Sequence, residues 1–567
     1  MEIKAPWTYA YGDVPSHLEY PQWTICEQII DVASKNPQKI ALSFMGRNIS
    51  YELLSKNIER VAKSLSAAGV KKGDYVTVCM PNVPQTVYSL YAINMIGAIA
   101  SMIHPLSAEG EIVHFVNETG SKYLITLDMF VKKVVAVKDQ CGIQKIIVSG
   151  IDDELSPVKA VGYRLTSGRK IEKVIDYSIV RWKDFLSQGD SYLGDYKCYC
   201  DKHDTAVILF SGGTTGTSKG IELSNLNFNA LAYQTISMSN CDVTNMSMLA
   251  AMPAFHGFGL GVCIHTMLYA GGRSILVPRF NVKDYANLIK KQKPNLIAGV
   301  PTLFDAIVSN PYLDGVDLAF LKGVFSGGDS LAPDLKKKID LFLESHGASI
   351  HVREGYGTTE CVTASCLTPY FNEKEGSIGI PFPDTYYKIC ALGTNEEVEY
   401  GQLGEICISG PTVMKGYHNR PEETENVLEN HPDGRLWLRT GDLGSMDEEG
   451  FVYFKQRIKR MIITSGYNVY PSQLEKIIND HDAVLQSCVI GVPDPHKVQK
   501  VKAFVVLNKD YEASQELKSE LMDYCRKHIA KYAMPYDIEF RASLPTTKVG
   551  KIAYGELEKE ETMALAD

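Results

Sequence analysis

Two kinds of protein are disfavoured by what this sequence has little of. Basic residues are fewer than acidic ones, 58 Lys and Arg against 67 Asp and Glu, so the net charge of −9 does not suggest a general nucleic-acid binder. The 13 cysteines are scattered and lack the regular pairing of a disulfide framework, which favours reduced thiols in a cytoplasmic protein. A small anionic ligand would therefore have to be held by local groups.

No secretory signal and no clear membrane span is apparent in the sequence. The stretch before residue 22 has no apolar run flanked by basic residues. The best membrane candidate, residues 85–104, is long enough to span a bilayer, but it contains Gln85, Asn94 and two serines and lacks basic flanks. The pattern predicts a buried helix that runs into a strand, without stable membrane insertion.

Two segments offer weak functional signals. Cys198, Cys200 and His203 lie close together, but no second Cys/His pair with zinc-type spacing is near, so we interpret them as loop residues. Residues 150–185 are mixed in charge and weak in periodicity, which favours a solvated surface excursion over contact with an anionic membrane. The basic residues in question are Lys159, Arg164, Arg169, Lys170 and Lys173.

What the sequence does contain is a series of short apolar runs. At 567 residues the chain is too long for a single core. Runs at 75–80, 122–126, 145–149 and 205–210 alternate with helix-like segments, which predicts a parallel sheet with helices on its faces. We predict an α/β fold with a large N-terminal domain of layered sheets and flanking helices, residues 1–458, and a small mobile α+β domain, residues 459–567.

Three further apolar runs end in or near glycine. They are PNLIAGV (294–300), LKGVFSGG (321–328) and ASIHVREGYG (348–357). Ligands gather at the carboxyl ends of strands in sheets of this type, so these glycines are expected to converge on one cleft. Taken singly, each glycine would be interpreted as a tight turn.

The stretch SGGTTGTSKG, residues 211–220, almost matches a phosphate-binding P-loop. In a G-x-x-x-x-G-K-[ST] loop, the second Gly lets the backbone wrap the phosphates and the final hydroxyl holds Mg²⁺. Lys219 is in register, but Ser218 replaces the second Gly and Gly220 replaces the hydroxyl. The stretch alone leaves open a decayed nucleotide triphosphatase or a different polyphosphate site.

The sequence contains eight motifs in order, SGGTTGTSKG (211–220), AFHGFG (254–259), SGGDSL (326–331), GYGTTE (355–360), GQLGEI (401–406), RTGDLG (439–444), QRIKRMIITSGYNVYP (456–471) and LPTTKVGKI (544–552). In this order they resemble the adenylate-forming enzymes, which include acyl-CoA ligases, firefly-type luciferases and peptide-synthetase adenylation domains. The resemblance covers nearly the whole chain, is closest to fatty-acid–CoA ligases, and implies that 211–220 is this family's own phosphate loop. Most members have Pro at the position of Ser218, so we expect a more mobile loop.

The resemblance implies an ATP site. Hydroxyls and backbone N–H groups of the loop would hold the β- and γ-phosphates, and Tyr356 would stack on adenine. The phosphate-loop residues are Ser211, Thr214, Thr215 and Lys219. The other nucleotide-binding residues implied are Gly327, Gly328, Asp329, Gly355, Gly357, Thr358, Asp442 and Arg457, with Asp442 on the ribose hydroxyls.

The resemblance also implies the catalytic residues. The hydroxyl of Thr359 would meet the α-phosphate, and Glu360 would bind Mg²⁺, which prefers a carboxylate or two plus phosphate oxygens. Lys551 would bridge the substrate carboxylate and the α-phosphate, stabilising charge as the carboxylate attacks phosphorus. Lys548 is the alternative lysine, although the family pattern places the functional one directly after Gly.

Two half-reactions follow from this family pattern. A carboxylic acid reacts with ATP to give acyl-adenylate and pyrophosphate, and coenzyme A then takes the acyl group and releases AMP. The C-terminal domain would rotate between the steps about Lys459, a hinge that absorbs a large backbone change. Gly466 would line the pantetheine channel, where the missing side chain permits close approach.

The acid is expected to be hydrophobic. Amino-acid-activating members have an Asp shortly after the position of Phe255, and this chain has none there. His256 would lie between the pocket and the thiol channel as a gate, or would be a packed core histidine. The candidate acyl pocket is apolar and rich in small residues, which suits a medium or long acyl chain or a bulky hydrophobic acid. Its residues are Phe255, Gly257, Gly261, Ala298, Gly299, Phe325, Ser326 and Cys361.

Two other functions stay open at this stage. An enzyme that loads the acyl group onto a carrier protein would share every ATP-binding residue. A non-catalytic nucleotide or acyl-adenylate binder is disfavoured because Thr359, Glu360, Asp442 and Lys551 are all present. We expect small-molecule substrates, no nucleic acid and a cytoplasmic location, and we leave open a homodimer.

Overall fold

The computed structural model describes residues 5–211, 218–464, 467–494, 497–547 and 551–564. The chain divides into two compact units. The first consists of Met1–Ser211, Lys219–Tyr387 and Ile408–Leu438, and the second of Gly212–Ser218, Lys388–Cys407 and Arg439–Asp567. The mixed α/β class, with a large and a smaller part, agrees with the sequence. A domain boundary at Lys459 stays a prediction.

Sixteen α-helices lie within the described ranges. They are α1 (Ile25–Lys35), α2 (Tyr51–Ala68), α3 (Pro84–Met95), α4 (Glu109–Thr119), α5 (Val131–Val137), α6 (Pro157–Leu165), α7 (Trp182–Asp190), α8 (Asn225–Ser239), α9 (Met267–Tyr269), α10 (Val282–Gln292), α11 (Pro301–Val308), α12 (Pro333–Ser345), α13 (Pro421–Glu425), α14 (Pro471–Asn479), α15 (Gln515–His528) and α16 (Tyr554–Ala564).

The strands of the same ranges number twenty-seven. They are β1 (Ile40–Phe44), β2 (Arg47–Ser50), β3 (Tyr75–Cys79), β4 (Ile99–Met102), β5 (Tyr123–Leu127), β6 (Lys145–Ser149), β7 (Ile179–Arg181), β8 (Thr205–Phe210), β9 (Gly220–Ser224), β10 (Ser247–Ala250), β11 (Arg273–Leu276), β12 (Leu296–Gly299), β13 (Gly323–Gly327), β14 (Val352–Tyr356), β15 (Cys366–Leu367), β16 (Ile380–Pro381), β17 (Tyr386–Cys390), β18 (Gly404–Ser409), β19 (Gly416–Tyr417), β20 (Leu428–Asn430), β21 (Leu436–Met446), β22 (Val452–Arg457), β23 (Ile462–Thr464), β24 (Tyr467–Val469), β25 (Val484–Asp494), β26 (Val498–Leu507) and β27 (Asp537–Phe540).

The first unit is built on two large sheets. One has the order β19-β9-β8-β4-β3-β5-β6-β7, with parallel pairing from β8 through β7. The other has the order β16-β15-β14-β13-β12-β10-β11-β1-β2 and is parallel from β14 to β1. The predicted alternation of parallel strands and helices is confirmed, and its strands are divided between these two sheets.

Two smaller sheets complete the fold. One has the order β17-β18-β21-β20, with β22 also paired to β21. The other lies in the second unit and has the order β24-β23-β26-β25, with β27 parallel to β26. Helices α14 and α15 supply Leu474, Ile478 and Leu521 to the core of that unit. The strands and helices of this region agree with the predicted α+β character.

The candidate membrane stretch 85–104 forms a buried helix and a strand, as predicted. Every residue of α3 is buried, and the chain then enters β4. Two of its polar residues donate hydrogen bonds inside the unit: the Gln85 Nε2 to Ser149 Oγ at 2.8 Å and the Asn94 Nδ2 to Asn225 Oδ1 at 2.9 Å. No helix in the described part of the chain is long and apolar enough to cross a membrane.

Candidate active site

The predicted phosphate loop connects the two strands of a hairpin. Strands β8 and β9 pair antiparallel, with Phe210 opposite Gly220. The ends of the loop are closed by two hydrogen bonds: the Lys219 N–H donates to Ser211 Oγ at 3.1 Å, and the Ser211 N–H donates to the Lys219 carbonyl at 3.0 Å. A Walker A loop leads from a strand into a helix, so this strand-to-strand loop is a different structure. Thr214 and Thr215 lie outside the described residues.

At the end of this loop, the side chains of Lys219, Tyr417 and Glu360 meet. The Lys219 Nζ lies 4.5 Å from the centroid of the Tyr417 ring, which is a cation–π geometry. The Tyr417 hydroxyl donates to the Glu360 Oε1 at 2.9 Å. Tyr417 thus connects the predicted phosphate-binding lysine to the predicted magnesium carboxylate, although the two are 141 positions apart in the sequence.

A chain of ion pairs continues from Lys219. Its ammonium is paired with Glu423, and hydrogen bonding to Lys219 lowers the pKa of that carboxyl. Arg420 contacts the same carboxylate at 3.0 Å and forms two bonds to Glu118, from Nε at 2.9 Å and from Nη2 at 3.1 Å. The bidentate pair with Glu118 has a defined geometry and therefore fixes Arg420. Arg420 in turn holds Glu423 beside Lys219.

The neighbouring backbone is held by a second polar pair. His418 is buried, and its Nδ1 lies 2.7 Å from the Glu222 Oε1, which is on β9. Hydrogen bonding to His418 lowers the pKa of Glu222. The His418 N–H also donates to the Gly220 carbonyl at 2.7 Å. These contacts fasten the segment that carries Tyr417 to the strand that leaves the phosphate loop.

The glycine-terminated runs form three neighbouring parallel strands, as the sequence predicts. Residues Ala298 and Gly299 of β12 pair with Phe325 and Ser326 of β13, whose Gly327 pairs with Gly355 of β14. The carboxyl ends of all three strands therefore lie side by side. Gly328, with φ +82°, and the exposed Asp329 follow β13, and Tyr356 and Gly357 follow Gly355 at the end of β14.

Glu360 belongs to a short 3₁₀ turn, Thr359–Cys361, that follows β14. Thr358 is buried, whereas Thr359 and Glu360 are half-buried. The turn is fixed by two backbone hydrogen bonds, from the Cys361 N–H to the Thr358 carbonyl at 3.1 Å and from the Met414 N–H to the Glu360 carbonyl at 2.7 Å. The carboxylate of Glu360 therefore projects from a backbone that is bonded on both sides.

The residue after this turn is in a strained conformation. Val362 has φ +64° and ψ −57°, and the Thr363 N–H donates to the Cys361 carbonyl at 2.8 Å, which defines a γ-turn. A positive φ in a β-branched residue is rare and unfavourable. Two glycines pack against this turn, because a Cβ at Gly257 would overlap the Val362 carbonyl and a Cβ at Gly357 would overlap the Thr363 carbonyl.

The predicted acyl-pocket residues collect in two groups within the first unit. Ala298, Gly299, Phe325 and Ser326 are the strand-end group described above. Gly257, Gly261 and Cys361 form a second group around the Val362 turn, since a Cβ at Gly261 would lie 3.2 Å from the Val362 Cγ1. Cys361 is fully buried, and burial raises the pKa of its thiol.

Phe255 and His256 precede a buried π-helical segment, Phe258–Thr266. The His256 Nδ1 accepts from the Phe258 N–H at 3.2 Å, and the Phe255 ring lies 4.2 Å from the ring of His104, at the end of β4. π-Helical turns are rare in proteins, and those that occur are often at functional sites. Inside this one, His265 is held between the Tyr91 hydroxyl at 3.0 Å and the Asn229 Oδ1 at 3.1 Å.

Asp442 and Arg457 are directly opposite each other in the second unit. They are paired residues of β21 and β22, and the Arg457 Nε lies 2.9 Å from the Asp442 Oδ1. The turn before Asp442 is held by Glu405, which accepts from Arg439 at 2.6 Å and from the Gly441 N–H at 3.0 Å. The buried Asp442 carboxylate therefore has a fixed backbone and a cationic neighbour.

Lys551 and Lys459 also belong to the second unit. The Lys551 N–H donates to Thr547 Oγ1 at 3.1 Å, and the Thr547 N–H donates to the Lys551 carbonyl at 2.6 Å. Lys459 is exposed in a 3₁₀ turn, Ile458–Arg460. Gly466 and Lys548 lie outside the described residues.

Glu354, on β14, gives a prediction for the pH dependence of stability. Burial raises its pKa to about 7, and its Oε1 accepts from the Leu331 N–H at 3.2 Å, with Lys336 as the nearby cation. An acid whose pKa is raised by folding stabilises the protein below the unfolded pKa, and this contribution is lost as the pH rises through the folded pKa. The wild type should therefore lose stability as the pH rises, whereas Glu354→Gln should not. The difference in free energy of unfolding between variant and wild type should shift in favour of the variant by about 2 kcal/mol from pH 5 to pH 8.

Urea unfolding at both pH values measures this difference. Glu344→Gln, at an exposed position of α12, is the matched control and should show no pH-dependent gain. A pH-independent difference between Glu354→Gln and the wild type would contradict the assignment.

Tyr417, Arg420 and Glu423 are among the residues of this site that do not appear in the sequence predictions. All lie in the stretch MKGYHNRPEET, residues 414–424. An aromatic residue after glycine, followed by charges of both signs, is a weak signal when taken alone. Tyr417 is identified by the structure, because it contacts Lys219 and Glu360, two residues that the sequence already singles out.

Comparison with known families gives the class of this protein. A family model described as AMP-binding enzyme matches residues 30–418, and a model described as AMP-binding enzyme C-terminal domain matches residues 473–551. The first match covers more than half of the chain. The chain belongs to the AMP-binding enzyme family, and its resemblance to the adenylate-forming enzymes is confirmed.

Individual relatives extend over the whole chain. The long-chain-fatty-acid–CoA ligase of Bacillus subtilis (strain 168) is 35% identical over 567 residues, covering 99% of both chains. The long-chain-fatty-acid–CoA ligase of Yersinia pestis is 31% identical over 571 residues, covering 98% of both. Among solved structures, ATP-bound MatB from Rhodopseudomonas palustris has a TM-score of 0.82 at 24% identity, covering 96% of this chain and 100% of that one, which shows the shared fold.

Proposed function

We propose that this protein is an AMP-forming acid–thiol ligase that joins a medium- or long-chain fatty acid, or another hydrophobic acid, to coenzyme A. Membership of the AMP-binding enzyme family supports ATP and coenzyme A as its substrates. The observation that carries the proposal is the contact series Lys219–Tyr417–Glu360, which joins the end of the phosphate loop to a carboxylate.

The nucleotide would be held by the ends of the strands and by the loop. The Lys219 ammonium and the Ser211 hydroxyl close the loop on the β- and γ-phosphates, and Tyr356 stacks on the adenine beside the glycines of β13. In the second unit, the ionised Asp442 accepts hydrogen bonds from the ribose hydroxyls, next to Arg457. These roles need a positive charge, an aromatic ring and acceptor oxygens, which Lys219, Tyr356 and Asp442 supply.

The residues at Glu360 fit a magnesium ion. Within the described ranges, no group of three or more His, Cys, Asp or Glu side chains is arranged to hold a metal. Mg²⁺ is commonly bound by one or two carboxylates and by the phosphates of the substrate, so a single half-buried carboxylate near the loop is a suitable donor. Bound there, the ion would neutralise phosphate charge, and Tyr417 would orient the carboxylate.

The chemistry proceeds in two steps. A carboxylate oxygen of the acid attacks the α-phosphorus, the α–β phosphate bond breaks, and pyrophosphate leaves. The Lys551 ammonium and the Thr359 hydroxyl stabilise the negative charge that develops on the α-phosphate oxygens. The thiol of coenzyme A, losing its proton, then attacks the acyl carbon of the adenylate, and AMP leaves with the carboxylate oxygen.

The two steps need different surroundings at the same acyl carbon. We assign the change to a rotation of the C-terminal domain about the exposed Lys459, which withdraws Lys551 and brings the Gly466 region to the pantetheine. A hinge is a short segment that takes up a large change in backbone angles. His256, whose Nδ1 is bonded to its own turn, is the proposed gate between pocket and channel.

A hydrophobic acid is supported by the pocket residues and by the relatives. Small and apolar residues line the strand ends and the Val362 turn, and no acidic residue follows Phe255 to bind an ammonium group. The Bacillus subtilis and Yersinia pestis relatives are named as long-chain-fatty-acid–CoA ligases. Each methylene buried by the enzyme contributes about 0.8 kcal/mol, which is a preference of only about fourfold per carbon, so several neighbouring chain lengths should be used.

A product assay tests this function. The protein is incubated with ATP, Mg²⁺ and saturated fatty acids of graded length, with and without coenzyme A, and pyrophosphate and thioester are measured. We expect acid-dependent pyrophosphate and a CoA thioester. Pyrophosphate without a CoA thioester would indicate transfer to a carrier protein, and neither product with any acid would indicate a binder.

Glu423 gives a prediction about ATP affinity. In the structure its carboxylate pairs with Lys219, so it competes with the phosphates for the ammonium group. The variant Glu423→Gln should lower the KM for ATP by about two- to fivefold, as expected for loss of a half-exposed ion pair. Steady-state kinetics measure the change, and the adjacent, exposed Glu422→Gln is the control. An increase in KM would mean that Glu423 positions the lysine and does not compete for it.

A further inference from the structure

Helix α6 has an apolar stripe that faces solvent. Val158, Val161 and Leu165 are 84%, 55% and 70% exposed, whereas Ala160 is buried. At 100° per residue, the three exposed residues fall within about 60° of one another, and Ala160 lies on the opposite side. Single exposed aliphatic residues are common, but three on one face of a nine-residue helix form a patch that calls for an explanation.

The same segment is strongly basic. Residues 157–173 contain five Lys and Arg and one Glu, a net charge of +4 in a chain of net charge −9. Arg169, Lys170 and Lys173 are exposed, and among the described residues none of the three has a recorded ion pair. The turn that carries the first two lies against α6, since a Cβ at Gly168 would be 3.2 Å from the Tyr163 ring.

The helix is fastened to the first unit by its two other cations. The Arg164 Nε lies 2.6 Å from the Asp152 Oδ2, and the Lys159 Nζ donates to the Met45 carbonyl at 2.6 Å. Met45, in the β1–β2 turn that Lys159 contacts, is itself 44% exposed. The patch is therefore presented on a fixed helix.

We propose that this basic and apolar face, defined by Met45, Val158, Val161, Leu165, Arg169, Lys170 and Lys173 and called the α6 surface, binds an anionic lipid bilayer. Aliphatic residues beside lysines and arginines are the composition of helices that lie in the membrane interface. At nine residues, α6 is about 13 Å long, so it can lie on a bilayer but cannot span one.

Charge and composition favour a lipid surface over a protein partner. A second copy docked symmetrically would place two α6 surfaces together, so like charges would face each other. The stripe also lacks the aromatic anchors on which protein interfaces depend. This inference goes beyond the proposed ligase function and stands independently of it.

Vesicle flotation of the full-length protein tests the proposal. Vesicles of phosphatidylcholine are compared with vesicles that also contain phosphatidylglycerol, at low and at high salt. Binding should be at least about tenfold stronger to the anionic vesicles and should be lost at high salt. The variants Val161→Asp/Leu165→Asp and Arg169→Glu/Lys170→Glu should each reduce binding by about tenfold or more.

Matched controls come from α12. Leu341 is 55% exposed there, and Lys337 and Lys338 are adjacent exposed lysines. Leu341→Asp and Lys337→Glu/Lys338→Glu should bind vesicles within about twofold of the wild type, because they change the same chemistry elsewhere. Thermal unfolding shows whether every variant is folded.

Several results would overturn the proposal. They are absence of binding to anionic vesicles, equal binding to neutral vesicles, loss of binding in the α12 controls, and binding that the α6 variants leave unchanged. Sedimentation of the vesicle-free protein covers the remaining case, since self-association that the same α6 variants abolish would assign the surface to a second copy of the chain.

Discussion

Replacing Lys551 with alanine should slow acyl-adenylate formation by about 100- to 1,000-fold, because it removes the positive charge that we propose stabilises the α-phosphate in the transition state. The two hydrogen bonds between Lys551 and Thr547 use the backbone of Lys551 and not its side chain, so the substitution should leave them in place. Conversion of supplied acyl-adenylate to thioester should fall much less, since the proposed domain rotation withdraws Lys551 in that step.

The two half-reactions are measured separately for this variant. Pyrophosphate release with ATP and a fatty acid reports the first, and thioester formation from synthetic acyl-adenylate and coenzyme A reports the second. Lys548→Ala is the internal control and should leave the first half-reaction within about threefold, as a lysine without transition-state contact would. Equal losses in both half-reactions for Lys551→Ala would contradict the two-state assignment.

Replacing Glu360 with glutamine should lower the rate of adenylation by about 100-fold or more, because the negative charge that would bind Mg²⁺ is lost. Glutamine has the same shape, and its side-chain oxygen can still accept the Tyr417 hydroxyl, so the local packing is preserved. The half-saturating Mg²⁺ concentration should rise at the same time, which loss of packing alone would not produce.

Rates measured over a series of Mg²⁺ concentrations provide the readout for Glu360→Gln. Glu375→Gln, at an exposed position outside the site, is the charge-matched control. Tyr417→Phe should have a smaller effect in the same direction, since it removes only the orienting hydrogen bond. An unchanged Mg²⁺ dependence in Glu360→Gln would exclude that residue as the metal ligand.

Much of the fold can be predicted from the sequence, because parallel strands that are buried on both faces have nearly continuous apolar sequences. The runs at 145–149 and 205–210 coincide with β6 and β8, and those at 75–80 and 122–126 differ from β3 and β5 by one residue. Helix α6 was not predicted, since its apolar residues face outward and its short basic sequence has no core-facing periodicity. The assignment of neighbouring runs to two separate sheets depends on long-range pairing that local patterns do not contain.

The site is predictable only in part. Motif order identifies the residue types, and the strand-end glycines lie side by side as expected. The contact of Tyr417 with both Lys219 and Glu360 joins positions far apart in the sequence, and no periodicity encodes it. The γ-turn at Val362 has no sequence signal either, because β-branched residues disfavour a positive φ. The hinge at Lys459, the channel at Gly466, a cytoplasmic location and a homodimer stay predictions.

Isotope transfer tests the central claim most directly. A fatty acid labelled with ¹⁸O in both carboxylate oxygens is converted with ATP, Mg²⁺ and coenzyme A, and the products are analysed by mass spectrometry. Attack of the carboxylate on the α-phosphorus predicts one ¹⁸O atom in each AMP and none in pyrophosphate. Label in pyrophosphate or inorganic phosphate, or unlabelled AMP beside the thioester, would contradict activation through an acyl-adenylate.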